Sequence, residues 1–308
     1  MTEAPETAPT PAETTPSGRL GSGRARIAIA VAAVAVIAAV VTILVIVGHP
    51  SSQKSKSAQV VLPFIGLRDP FGVAVDTSGS VYITDANNNR VLKLPAGSTN
   101  QIVLPFTDLK NPSGVAVDTA GNVYVTDYGK YAALKLPAGA TNLVQVLPFT
   151  GLASPTDVAV DTAGNVYIAD ANTSRVLKLP AGSNTPVDLP FTGLRNPSGV
   201  AVDTADNVYV SEYFNNRVLK LSAGSSTPVE LPFTGLSSPE GVAVDTAGNV
   251  YITDYFNNRV VRLSAGSNAQ AELPFTGLNH PEGVAVDTAG NVYVTDWGNF
   301  RVLKLPAR

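Results

Sequence analysis

Cysteine is absent from the whole chain, which excludes disulfides, thiolate nucleophiles and cysteine-ligated zinc. Histidine occurs only as His49 and His280, so histidine-based chemistry rests on His280 alone. Charge is scarce too: 15% of residues are Asp, Glu, Lys or Arg, and the formal net charge is −3. Neither the basic footprint of a nucleic-acid binder nor a strongly acidic field is present. Helical periodicity is missing from residue 58 onward, where short runs of Val, Ala, Ile and Tyr alternate with Gly-, Asn- and Pro-bearing turns. Such runs fit a pleated, half-buried surface.

Three zones precede or form that region. Residues 1–26 are rich in Thr, Pro, Glu and Ala and hold almost no bulky apolar side chains, the composition of a disordered tail. Residues 27–47 run without a charge, and a membrane-crossing helix needs about 20 apolar residues. The expectation is an uncleaved signal-anchor. A cleaved signal peptide is the alternative, but its apolar region is usually about 7–15 residues; a buried core helix is a third. Arg19, Arg24 and Arg26 before the run outnumber Lys54 and Lys56 after it, which favours a cytoplasmic N-terminus. Residues 48–57 read as a linker, and the rest is expected on the extracytoplasmic side of the cell membrane.

Residues 58–308 repeat. Leu-Pro-Phe begins at Leu62, Leu104, Leu147, Leu189, Leu231 and Leu273, at intervals of 42 or 43 residues. The aspartate closing Val-Ala-Val-Asp recurs in step, at Asp76, Asp118, Asp161, Asp203, Asp245 and Asp287. Each unit carries four strand candidates, in the fifth copy Val242–Val244, Val250–Thr253, Arg259–Leu263 and Ala271–Leu273. Four short strands at this spacing predict one blade of a β-propeller, so the fold class is all-β with six blades. The Val-Ala-Val strand, preceded by Gly in five copies, should be innermost. The Leu-Pro-Phe strand should be outermost, since a recurring proline belongs at a sheet edge. The region opens on an outer strand, Ala58–Leu62, and closes on a third strand, Arg301–Leu305. Ring closure should pair these two.

The segments Leu231-Pro-Phe-Thr-Gly-Leu-Ser-Ser-Pro-Glu-Gly-Val-Ala-Val-Asp245 and Asn249-Val-Tyr-Ile-Thr-Asp-Tyr-Phe-Asn-Asn-Arg259 resemble NHL repeats. More narrowly, they are similar to the extracellular propellers of mycobacterial receptor serine/threonine kinases. The resemblance implies a sensor or interaction module that works with a kinase. This chain has no Gly-rich nucleotide loop, His-Arg-Asp loop or Asp-Phe-Gly motif, so no kinase domain is expected within it.

Features shared by the copies are expected to serve the blade: the Val-Asp aspartates and the pairs Asp85/Arg90, Asp170/Arg175, Asp254/Arg259 and Asp296/Arg301. Asp203-Thr-Ala-Asp-Asn207 lacks the ligand spacing of a calcium loop. Departures between copies are the candidate ligand-binding residues. After the hairpin aspartate stand Ala86, Tyr128, Ala171, Tyr213, Tyr255 and Trp297, with Phe214, Phe256 and Phe300 beside them. They form either an exposed aromatic patch or rings packed on neighbouring loops. After the loop prolines stand Phe71, Ser113, Thr156, Ser198, Glu240 and Glu282. Glu240 and Glu282, on adjacent blades with His280 nearby, could bind a cation or perform acid–base work, or could be solvated loop glutamates. The expected function is a membrane-anchored binding or sensor module for a protein, peptide or cell-envelope ligand, with no cofactor. The alternative is a lactonase- or lyase-like enzyme holding a divalent cation at the channel mouth.

Overall fold

The computed structural model describes residues 58–307. The expected tail, the apolar run 27–47 and the linker up to residue 57 lie outside them. Among the described residues no helix is long and apolar enough to cross a membrane.

Six antiparallel sheets of four strands follow one another in the chain, blades 1 to 6, with innermost strands Pro70–Val75, Pro112–Val117, Pro155–Val160, Pro197–Val202, Pro239–Val244 and Pro281–Val286. Blade 5 is representative, with strands Pro239–Val244, Val250–Asp254, Arg259–Leu263 and Gln270–Glu272 from the axis outward. Each innermost strand packs against those of both neighbouring blades, and that of blade 1 meets that of blade 6. The second strands are buried along their whole length. The apolar core lies between blades rather than within them. One cluster joins Ala285, Tyr293 and Val302 of blade 6 to Val73, Ile83 and Leu92 of blade 1.

Closure occurs as the sequence predicts. Val60 and Val61 pair with Lys304 and Leu303 as the fourth strand of blade 6. Gln59 adds a two-way clip, its amide donating to the Thr276 carbonyl at 2.9 Å and accepting from the Thr276 N–H at 2.8 Å.

Two expectations need correction. The Leu-Pro-Phe segments are not the outer strands; they follow them. In all six copies the Phe N–H bonds the Leu carbonyl across the proline at 2.7–2.8 Å, a three-residue turn that ends the strand. The Pro-x-Gly segments are not loops. Each proline opens the innermost strand, a position where its missing N–H is tolerated, and the register shifts just beyond it. The glycine there is required by the neighbour: a Cβ on Gly241 would lie 2.6 Å from the Glu282 carbonyl oxygen.

The recurring aspartates organise the first hairpin. Asp161 accepts from the Ala163 and Asn165 amides, the Asn165 side chain and the Tyr167 hydroxyl. Burial alone would raise these carboxyls, but the converging donors outweigh it and hold Asp76, Asp118, Asp161, Asp203 and Asp287 below the usual carboxylate range. Asp203-Thr-Ala-Asp-Asn207 is the same turn, with Asp206 in the left-handed conformation at φ 60° where other copies place glycine.

Candidate functional site

The loops between second and third strands are built by one buried acid per blade. In blade 5 Asp254 accepts from the Ser237 N–H at 2.6 Å, Asn257 Nδ2 at 2.8 Å and Arg259 Nε at 2.7 Å. The arrangement clamps a single 3-10 turn, Tyr255–Asn257, against the following strand. Asp85/Arg90 and Asp296/Arg301 do the same at 2.7 and 2.6 Å; in blade 3 the Thr173 hydroxyl links Asp170 to Arg175, which lie 3.6 Å apart. Blade 4 uses Glu212 with Arg217, a pair the aspartate pattern did not reveal. Blade 2 has Ala132 in place of the arginine, and Lys130 bonds Asp108 at 2.5 Å.

These rigid turns carry the aromatic residues, and the structure brings most of them together. Tyr213 lies 6.4 Å from Tyr255, and Tyr255 lies 6.4 Å from Trp297, centroid to centroid, so the row spans blades 4 to 6. Phe214 and Phe256 stand edge-on to their tyrosines at 5.1 and 5.0 Å. Both readings of these rings therefore hold in part: Tyr213, Tyr255 and Trp297 are half-buried among each other, while Phe214 and Phe256 stay 58% and 52% exposed. Phe300 is exposed and joins none of these ring contacts; Tyr128 and Tyr131 of blade 2 are exposed on their own loop. His280 belongs to the row, 4.5 Å from the Tyr255 ring, and makes no hydrogen bond to either glutamate.

Beside the row the channel opens in a cavity of about 360 Å³ lined by Phe71, Tyr128, Trp297, Asp69, Thr156 and Glu282 among others. Below it a cavity of about 80 Å³ is lined by Phe71, Asp157, Ser198, Glu240 and Glu282. Further down, only Val and Ala of the six inner strands line the axis. Glu240 and Glu282 are thus channel-wall residues on strands, not solvated loop glutamates; Glu282 is 6% exposed and its Oε2 has no hydrogen-bond partner. Burial raises Glu282 well above the usual range, and Glu240 and Asp69 raise it further. Burial and Asp157 likewise raise Glu240.

Asp157 and Asp69 were not singled out from the sequence. Asp157 stands where the other five copies have Gly, the one signal that could have found it. Burial pushes its carboxyl up to about 7 against the opposing bonds from the Val200 and Val158 amides. Asp69 occupies the position of His280 in its repeat and accepts from Trp297 Nε1, joining blade 1 to blade 6. Among the described residues no group of three or more His, Cys, Asp or Glu is placed to hold a metal ion.

The fold is shared with several solved propellers. A gluconolactonase from Xanthomonas campestris matches with a TM-score of 0.68 at 16% identity, over 84% of this chain and 93% of that one. A catalytically inactive virginiamycin B lyase from Staphylococcus aureus with quinupristin gives 0.61 at 15%, over 80% and 83%. A chain of the nidogen/laminin complex gives 0.64 at 20%, over 71% and 86%. At these identities the likeness is one of fold. No curated protein matches by sequence. The NHL repeat matches at residues 67–94, 109–131, 152–179, 194–221, 236–263 and 278–305. These segments fall on the six blades and make up just over half of the sequence, and the chain belongs to the NHL-repeat family.

Proposed function

We propose that this chain is a binding module, anchored in the cell membrane through residues 27–47, that presents the aromatic face of its propeller to a protein or peptide outside the cytoplasm. The similarity to the sensor propellers of mycobacterial receptor kinases suggests the role; the aromatic row across blades 4 to 6 carries it. Tyr213, Tyr255 and Trp297 are held on clamped turns, so their ordering cost is met before a ligand arrives. Phe214 and Phe256 leave apolar surface in water at the row's outer side, and such rings are frequent anchors of interfaces. The described chain enters the propeller through Gln59, Val60 and Val61, a strand that runs toward this face from the opposite one.

The test is a titration. The full chain is immobilised, a ligand retained from envelope extract is identified and purified, and its affinity is measured against wild type and a Phe214→Ser/Phe256→Ser variant. Both positions are exposed, so stability should stay within about 0.5 kcal/mol, while affinity should fall at least about ten-fold. Equal affinity would remove the aromatic face from the reading.

The second reading, a hydrolase or lyase with a divalent cation at the channel mouth, draws on the carboxyls whose protons are held near neutral pH. Turnover of lactone substrates that depends on added calcium or magnesium, and is lost in Glu240→Gln, would favour it over binding.

A further inference from the structure

The Glu282 carboxylate is buried and has an oxygen with no donor, and the residue lines the inner cavity. A buried polar atom left in this state marks a place where something else supplies the bond. Glu240 of the adjacent blade lines the same cavity, and no ion pair among the described residues includes Glu240, Glu282 or Asp157. Every arginine and lysine in those pairs bonds elsewhere. The wall thus offers several acceptor oxygens and no donor charge.

The shape of the deficit says what would fill it. A monatomic cation needs its oxygens converging to about 2.3–2.6 Å, and the described residues do not converge in that way. Glu240 and Glu282 come from neighbouring blades and Asp157 from a blade further round. A polyatomic head with donors fanned in several directions can bond acceptors carried on separate blades; ammonium offers three donors and guanidinium five. The inner cavity of about 80 Å³ exceeds the room that one water needs. It shares Phe71 and Glu282 with the wider mouth, so the two cavities adjoin at these side chains. The mouth is walled by Trp297, with Tyr255 6.4 Å from it, and aromatic faces attract cations. Tyr255 is raised to about 12, by burial first and then by Glu282, so its hydroxyl stays neutral beside these acids.

We propose that the channel mouth binds an organic cation, an ammonium or guanidinium head on an aliphatic stem, with the head at Glu240 and Glu282 and the stem against Tyr255 and Trp297. The proposal shares its face with the binding module above and names the chemistry of what enters that face. Burial raises Asp157, Glu240 and Glu282, and a cation bound beside them favours their ionised forms, so affinity rises with pH. Asp69, Tyr128, Tyr213, Tyr255 and His280 are the other titratable groups around the mouth. Of these only His280 carries a basic ring nitrogen, and a His280→Gln variant separates it from the carboxyls.

Trp297 is the sole tryptophan of the chain and lines the mouth, so its fluorescence reports occupancy of the full chain directly. The probes are Nα-acetyl-arginine and Nα-acetyl-lysine methyl amides, their neutral counterparts from citrulline and norleucine, agmatine, and calcium chloride alone. A saturable change with the cationic probes is expected, with none from the neutral ones. Affinity should drop at least about ten-fold in Glu240→Gln and Glu282→Gln, both checked for fold by circular dichroism. It should also drop between about pH 8 and about pH 5.5, a dependence that persists in His280→Gln. Tighter binding of the capped amides than of agmatine assigns the site to a peptide side chain; the reverse assigns it to a free amine. An equal response to norleucine, saturation by calcium alone, or unchanged affinity in both glutamine variants overturns the proposal. A Glu282→Gln chain that binds no cation probe but still holds its macromolecular ligand leaves the aromatic-face reading standing. The Phe214→Ser/Phe256→Ser chain provides the converse case.

Discussion

At the scale of the residue, Glu282 works against the fold that contains it. In the unfolded chain its carboxyl ionises near pH 4.3 or so; in the folded chain burial, Glu240 and Asp69 raise it. The folded state therefore holds the proton more tightly, and stability falls as pH rises from the unfolded value toward the folded one. The penalty is full above the folded value and vanishes below the unfolded one. Glu282→Gln keeps the shape and removes the ionisation. The expected outcome is a melting temperature several degrees above wild type at about pH 8 and nearly equal at about pH 4. A variant no more stable than wild type at the higher pH would show that the carboxylate is already compensated. The Val-Asp aspartates act with the opposite sign. Asp161 and its lowered counterparts contribute stability above the unfolded carboxylate value, which is lost as pH falls through their folded values. A carboxylate retained at a cost to stability is the pattern expected of a site kept for binding.

At the scale of the element, blade 3 shows two substitutions that make sense only together. In blade 1 the Thr84 hydroxyl accepts from the Gly72 N–H at 2.8 Å and donates to the Ser113 carbonyl of blade 2 at 2.5 Å. Blade 3 has Ala169 at the threonine position and Asp157 at the glycine position. There the Asp157 carboxylate crosses to the Val200 N–H of blade 4 at 3.0 Å, restoring an inter-blade bond by another route. Asp157→Gly alone should lower the melting temperature, and adding Ala169→Thr should recover most of the loss, a coupling measurable as a double-mutant cycle. Additive effects would mean that the two positions do not exchange roles. This coupling was not legible in the sequence, because the repeat pattern shows a departure at each position without showing that they face the same neighbour. The blades themselves were legible from alternating Val-x-Val runs and turn chemistry. The prolines were half legible. Their missing N–H pointed to an edge, but Pro239 meets that requirement by opening an inner strand and Pro232 by closing a tight turn. Placing Glu240 in a loop followed from that misreading, and with it the expectation of solvent where the structure has a channel wall.

At the scale of the whole molecule, the ring depends on a strand taken from the other end of the chain. Removing residues 58–64 deletes the Val60–Val61 pairing, the Leu62 N–H bond to the Val302 carbonyl and the Gln59 clip. It also withdraws Leu62 and Phe64 from the cluster joining blades 6 and 1. Two partly buried apolar side chains at about 1 kcal/mol each, below the value of full burial, with several hydrogen bonds at about 1 kcal/mol net, total on the order of 5 kcal/mol. For a domain of this size, each kcal/mol moves the melting temperature by about 2–4 °C. The deletion should therefore lower it by more than about 10 °C and expose Arg301–Leu305 as an unpaired edge prone to association. Gln59→Ala, losing only the clip, should cost a small fraction of that. A rearranged chain separates pairing from chain order. In blade 5 the connection from the third strand to the outer one runs from Leu263 to Gln270. Moving residues 58–64 behind Arg308 through a linker of matching length gives blade 6 the connectivity of the other five. If strand pairing is what closes the ring, this chain melts with wild type and the simple deletion far below it. If the rearranged chain melts with the deletion instead, stability comes from tying the two ends of the ring together, and the strand is merely the tie.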